Sequence, residues 1–216
     1  MEALPVYLAL FAILLASLSI HEAAHAWAAD RLGDPTARLL GRLTLNPVAH
    51  IDPIGTLLLP AIAIVTRLPI IALISRFPLI GWAKPVPVNL RNLRHPRRDF
   101  MYIAAAGPAS NLVQAVMLAA VAWLMYPGGL ERSVVAQLIG LGVQINVLLA
   151  LFNLIPVPPL DGGNVIGGLL PERVADAYDR LVRPWGFLIL YGFLLSGLFA
   201  RLILPPAFYI TGMLLP

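Results

Sequence analysis

The sequence predicts an all-α polytopic membrane protein, a single domain over residues 1–216, and three observations predict it. Hydrophobic residues make up 59% of the 216 and charged residues 12%, with a mean hydropathy of +0.83, outside the range of soluble globular domains. Apolar runs recur along the chain at the length of the roughly 20 residues that carry a helix across a bilayer. The basic residues behind the net charge of +4 and the pI of about 9.9 lie in short segments between those runs. That placement fits orientation by the cytosolic leaflet, and nucleic acid is not an expected partner.

Five apolar membrane segments are expected, at about 4–29, 54–83, 100–126, 134–155 and 185–204. The first follows no basic leader and continues to Ala29 without a cleavage site, so it reads as a retained span. Arg67, Pro60, Pro69 and Pro78 argue against one straight helix in the second. Arg31, Arg38 and Arg42 precede that segment, and Lys84, Arg91, Arg94, Arg97 and Arg98 follow it. A single crossing would leave one basic group outside, whereas a re-entrant hairpin keeps both in the cytosol. The third span then exits, "PGGLERS" forms an outer turn, and the fourth returns. Arg173, Arg180 and Arg183 fall in the cytosol, and residues 205–216 are too short to span and lie at the outer interface. Between the first two spans, "ARLLGRLTLNP" (37–47) alternates imperfectly around Gly41, as a short edge β-hairpin does.

The chemistry is concentrated in "LSIHEAAHAWAAD", residues 18–30. His21 and His25 are four apart and share one helix face, a spacing that suits two imidazoles on one zinc ion, with Glu22 placed as general base. His21 lies 17 residues after Leu4, roughly 26 Å of helix, which sets the pair inside the bilayer near its cytosolic edge. Ionisable groups there are expensive and mark function by default. Cysteine is absent, so a third ligand must be His, Asp or Glu. Asp161 is the sole acidic residue between Glu131 and Glu172 and follows a span broken by Pro156, Pro158 and Pro159. It either completes the ligand set, with Gly162 and Gly163 allowing close backbone approach, or caps the next helix. His50 and His95, the remaining histidines, read as loop residues.

"HEAAH" and "NLIPVPPLDGG", with "AAGPASN" at 105–111, resemble the site-2 protease family of intramembrane zinc metalloproteases, peptidase family M50. "GRLTLNPVAHIDPIGT" and "GWAKPVPVN" resemble its short core-only subgroup. The likeness runs over about 4–170, leaving the C-terminal span at about 185–204 outside it. The resemblance implies one Zn²⁺ held by His21, His25 and Asp161, Glu22 as catalytic base, and Asn153 bound to substrate or the oxyanion. It implies a weaker substrate-side role for Asn111, against which packing beside Gly107 and Pro108 is the alternative; for Asn153 the alternative is a helix–helix hydrogen bond. It also implies a membrane-associated β element at 37–47, onto which an extended substrate adds as a strand.

The implied activity is hydrolysis of peptide bonds within or near transmembrane segments of membrane-protein substrates, in a prokaryotic cell membrane. Membrane lipid, a further copy of the chain or a regulatory membrane protein are the other implied partners, since neither a PDZ nor a CBS domain interrupts the sequence. A metal transporter or a non-catalytic adaptor using the same site are the rival readings. The first would need further His or acidic residues along a pathway, which the later spans scarcely offer, and the second would usually have lost part of the motif.

Overall fold

A computed structural model describes residues 3–58, 83–130 and 133–216. Helix α1 (Ala3–Arg31) is followed by the short α2 (Thr36–Leu39), a 3₁₀ turn at Pro47–His50 and a π turn at Pro53–Leu58. A strap with neither helix nor strand over residues 83–89, extended at Asn89, leads to a 3₁₀ turn at Leu90–Asn92 and then to α3 (Pro96–Met125). Next come α4 (Val134–Asn153), α5 (Asp161–Leu169), α6 (Glu172–Leu181), α7 (Gly186–Leu195), α8 (Leu198–Leu202) and α9 (Leu204–Leu214).

Local chemistry sets the ends of the long helices. Pro96 opens α3 at a position whose N–H has no helical partner, and Asp99 reaches back to accept from His95 N at 2.8 Å. Ser133 caps α4 by accepting from Ala136 N at 3.1 Å. Helices α1, α3 and α4 pack into a bundle, with α5 against α3 and α9 against α4. The buried stripe of α3 holds small residues, Ala104, Ala115, Ala119 and Ala122, while Val113, Val116, Met117 and Leu124 face outward. Small-in, bulky-out is the membrane pattern: close backbone approach replaces the hydrophobic drive that lipid does not supply.

Three of the described helices, Leu8–Arg31, Pro96–Met125 and Val134–Asn153, are long and apolar enough to cross a membrane, and a fourth span exists if the bent pair Glu172–Leu195 and Leu198–Leu214 counts as one. Of the five expected segments, those at about 4–29, 100–126 and 134–155 correspond to these three helices. The apolar stretch 185–204 is not a straight helix: Gly197 takes the left-handed region at φ 76°, and the pair bends by 71° there. Residues 204–214 form a helix whose Ala207 packs against Ala115, Ala119, Val143 and Val147. The re-entrant hairpin expected over 54–83 lies, beyond Leu58, outside the described residues.

The β-hairpin expected at 37–47 is overturned, and no strand occurs among the described residues. Asp34 Oδ1 accepts from Thr36 N at 3.1 Å and from Thr36 Oγ1 at 2.5 Å, which starts a helical turn at that point. The amides of Leu39, Leu40, Gly41 and Arg42 then bond to the carbonyls of Pro35, Thr36, Arg38 and Ala37, so these four are spent locally and not on a strand partner. The Arg42 guanidinium donates to Ala49 O, and His50 donates from Nε2 to Thr44 O at 2.9 Å, folding the segment on itself. His50 is thus a buried residue of the 3₁₀ turn, while His95 is exposed at the start of α3.

Candidate metal centre

His21, Glu22 and His25 lie near the C-terminal end of α1, all buried. Asp161 reaches them from the first turn of α5, across a 7-residue connection (154–160) that carries the three prolines. Gly162 and Gly163 make this approach feasible: a Cβ on Gly162 would overlap Leu154 O, and one on Gly163 would lie 2.6 Å from Pro158 N. The capping alternative for Asp161 is set aside by position, because Leu160 occupies the cap and the Asp161 carboxylate turns toward the histidines.

Asp161 Oδ2 lies 3.2 Å from His21 Nε2 and 3.3 Å from His25 Nε2, and the two Nε2 atoms are 3.0 Å apart. Each imidazole uses its other nitrogen elsewhere. His25 Nδ1 donates to Ile103 O at 2.7 Å, and His21 Nδ1 faces Asn111 Oδ1 at 2.6 Å. With both rings neutral and protonated at Nδ1, two Nε2 lone pairs and a carboxylate oxygen converge on one space. Asp161 Oδ2 is correspondingly buried with no hydrogen-bond donor. Such a cluster can hold a metal cation.

The donor set fits zinc. Tetrahedral bonds of 2.0–2.1 Å imply ligand–ligand separations of roughly 3.3–3.4 Å, close to the observed triangle. Two imidazoles, one carboxylate and an open fourth position are the ligand count of catalytic zinc sites, whereas structural ones are closed by four protein ligands. Glycine at 107 leaves the room: a Cβ there would overlap His25 Nε2 and come within 2.6 Å of His21 Cε1. Along one face of α3, Ile103, Gly107 and Asn111 thus supply an acceptor, a space and a second acceptor.

Glu22 stands outside this triangle. Its Oε2 accepts from Val86 N at 3.1 Å, tying it to the strap. The strap is anchored in turn by Asp34, whose Oδ2 accepts from Asn89 N and whose Oδ1 accepts from Asn92 Nδ2, both at 2.7 Å. Burial would push the Asp34 carboxyl up, but its hydrogen bonds outweigh that and hold it below the ordinary carboxylate range.

The two asparagines divide. Asn111 is fully buried and committed to His21 and, through Nδ2, to Asn146 Oδ1 at 2.9 Å. Asn153 is half-buried at the end of α4 and donates to Leu149 O at 3.0 Å, one turn back in its own helix. Sequence reasoning did not single out Asn146, Ser17, Val86 or Asp34 for the site. A signal existed for Asn146, an amide in the middle of an apolar span.

The Peptidase family M50 profile matches residues 125–197, a stretch that includes Asp161. The chain is 37% identical over 189 residues to a Bacillus subtilis protein named "Putative zinc metalloprotease YwhC", covering 82% of this chain and 77% of that one. It is 32% identical over 193 residues to "Putative zinc metalloprotease Rip2" of Mycolicibacterium smegmatis, covering 88% of this chain and 68% of the relative. No solved structure matches it significantly. With a histidine–carboxylate triangle of zinc dimensions and relatives matched over most of both chains, this chain belongs to peptidase family M50, the site-2 protease family of zinc metalloproteases that act on membrane-protein substrates.

Proposed function

We propose that residues 1–216 form one intramembrane protease domain whose zinc is held by His21, His25 and Asp161, with Glu22 as the catalytic base. The observation that carries this reading is the convergence of three ligand atoms, two imidazole nitrogens and a carboxylate oxygen, 3.0–3.3 Å apart beside a buried glutamate. Zinc bound there supplies a Lewis acid for the scissile carbonyl and lowers the pKa of water to roughly 7. Glu22 takes the proton of the attacking water and returns it to the leaving amine, restoring its own charge. The Val86 amide holds Oε2 of that carboxylate, which leaves Oε1 to carry the proton.

The substrate is a transmembrane segment, and it must unwind locally, because a lipid-embedded helix keeps its carbonyls in internal hydrogen bonds. The chain is a multi-pass protein of the cell membrane. The charge distribution around α1 supports a site within the bilayer near the cytosolic side, since Arg31, Arg38 and Arg42 follow the histidines closely. Asn111 acts on His21 from behind rather than on substrate.

The test is cleavage of a reporter transmembrane substrate by purified protein, wild type beside Glu22→Gln, with zinc measured in each. Retained zinc with lost cleavage supports the assignment. Wild-type cleavage by Glu22→Gln removes Glu22 as the base.

A further inference from the structure

His25 and His21 have their ring orientation set in different ways. His25 Nδ1 meets a backbone carbonyl, Ile103 O, which can only accept. His21 Nδ1 meets a side-chain amide, which could present either its oxygen or its nitrogen. What fixes that choice lies two helices away. Asn146 Nδ2 is 2.9 Å from Gly142 O, a carbonyl that accepts only, and 3.0 Å from Ser17 Oγ. The Asn146 nitrogen must therefore point toward α4's own backbone, so its Oδ1 faces Asn111. Asn111 must then donate from Nδ2 and turn Oδ1 to His21. His21 Nδ1 must in turn carry the proton, and Nε2 is left bare. Every member is fully or nearly fully buried, so water cannot substitute for a missing partner.

We propose that Asn146, braced by Ser17 and the Gly142 carbonyl, is a positioning residue of the metal centre: through Asn111 it selects the His21 tautomer that can bind zinc. The relay joins α4, α3 and α1, so one zinc ligand is competent only while α4 is docked on the other two helices. The inference rests on the reading of His21, His25 and Asp161 as zinc ligands.

The experiment is competition for zinc between the purified full-length protein and a chromophoric chelator. Asn146→Leu keeps the number and branching of the side-chain heavy atoms and removes the acceptor facing Asn111. Asn146→Asp restores that acceptor and, as the buried neutral acid, donates its O–H to Gly142 O in place of Nδ2. Asn111→Leu removes the direct partner of His21, and His21→Ala is the reference for a lost ligand. Outer partners of metal-bound histidine typically contribute about 10–100-fold in affinity. Asn111→Leu and Asn146→Leu are expected to weaken zinc binding about tenfold or more, with Asn146→Asp close to wild type. Thermal unfolding of the zinc-free proteins separates packing from positioning: equal zinc losses in Asn146→Leu and Asn146→Asp, tracking a lowered Tm, overturn the relay. Wild-type affinity in Asn146→Leu overturns it as well. Wild-type affinity in His21→Ala overturns the metal site itself and the relay with it.

Discussion

Val86 N donates to Glu22 Oε2 at 3.1 Å across 64 residues of chain, and this bond ties the strap to the carboxylate that neighbours His21 and His25 on α1. Val86→Pro removes the donor where Pro85 and Pro87 already hold the backbone extended. A hydrogen bond to a charged group contributes about 1.5 kcal/mol or more, so kcat is expected to fall about tenfold with zinc content unchanged. Steady-state cleavage kinetics beside metal analysis checks this, and an unaltered kcat would show that the bond does not orient the base.

Asp161→Ala removes the one anionic ligand and leaves two imidazoles. Zinc in the purified protein is expected to drop from near one equivalent to a small fraction, and cleavage to be lost with it. Stripping zinc from the wild type with a chelator should also lower Tm, because a metal bound only by the folded state stabilises it. Adding zinc back should restore both cleavage and Tm. A Tm indifferent to zinc would count against a resident ion.

Gly107→Ala places a methyl group where the two imidazoles meet α3. Zinc affinity and cleavage should both collapse, whereas Gly212→Ala, where an added Cβ meets nothing within 4 Å, should leave both at wild-type levels. Equal tolerance of the two substitutions would mean that α1 and α3 are not packed this closely.

Asp34 ties the turn after α1 to the strap and titrates below its ordinary value of 3.8. A carboxyl whose folded pKa is depressed adds stability above its unfolded pKa and loses it as pH falls through the folded one. The wild type should therefore lose Tm below about pH 4 more steeply than Asp34→Asn. At neutral pH, Asp34→Ala should cost about 2–4 kcal/mol, with cleavage reduced more than zinc binding, because the strap holds Glu22 and not the ligands. Parallel Tm–pH curves for the wild type and Asp34→Asn would contradict the anchor.

What could be read from the sequence followed from locality. The meeting of His21, His25 and Asp161 was legible because helical spacing of four is enough to aim two side chains together and Asp161 stands alone among apolar residues. The strap and the amide relay were not, since Ser17, Asn111 and Asn146 meet only after three helices pack, and no spacing encodes that meeting. At 37–47 the alternation of Leu and Arg suggested strands. The competing signal, Asp34 followed by Pro35 and Thr36, was a helix-start signature, and its local hydrogen bonds prevailed. The C-terminal stretch was read by hydropathy alone, which is insensitive to the left-handed glycine that bends it.

On α3 the three positions that serve the histidines, 103, 107 and 111, are each four residues apart, so they depend on the helix keeping its phase. Deleting a single residue between 104 and 106 would rotate everything beyond it by about 100° and carry Gly107 and Asn111 away from α1 together. Replacing Val113, Val116 or Met117 by other apolar residues would disturb neither, because they face away from the bundle. Evolutionary drift along this helix should accordingly run freely in side-chain identity on the lipid face and scarcely at all in length, as though the segment were a gear whose teeth could be recoated but not recut.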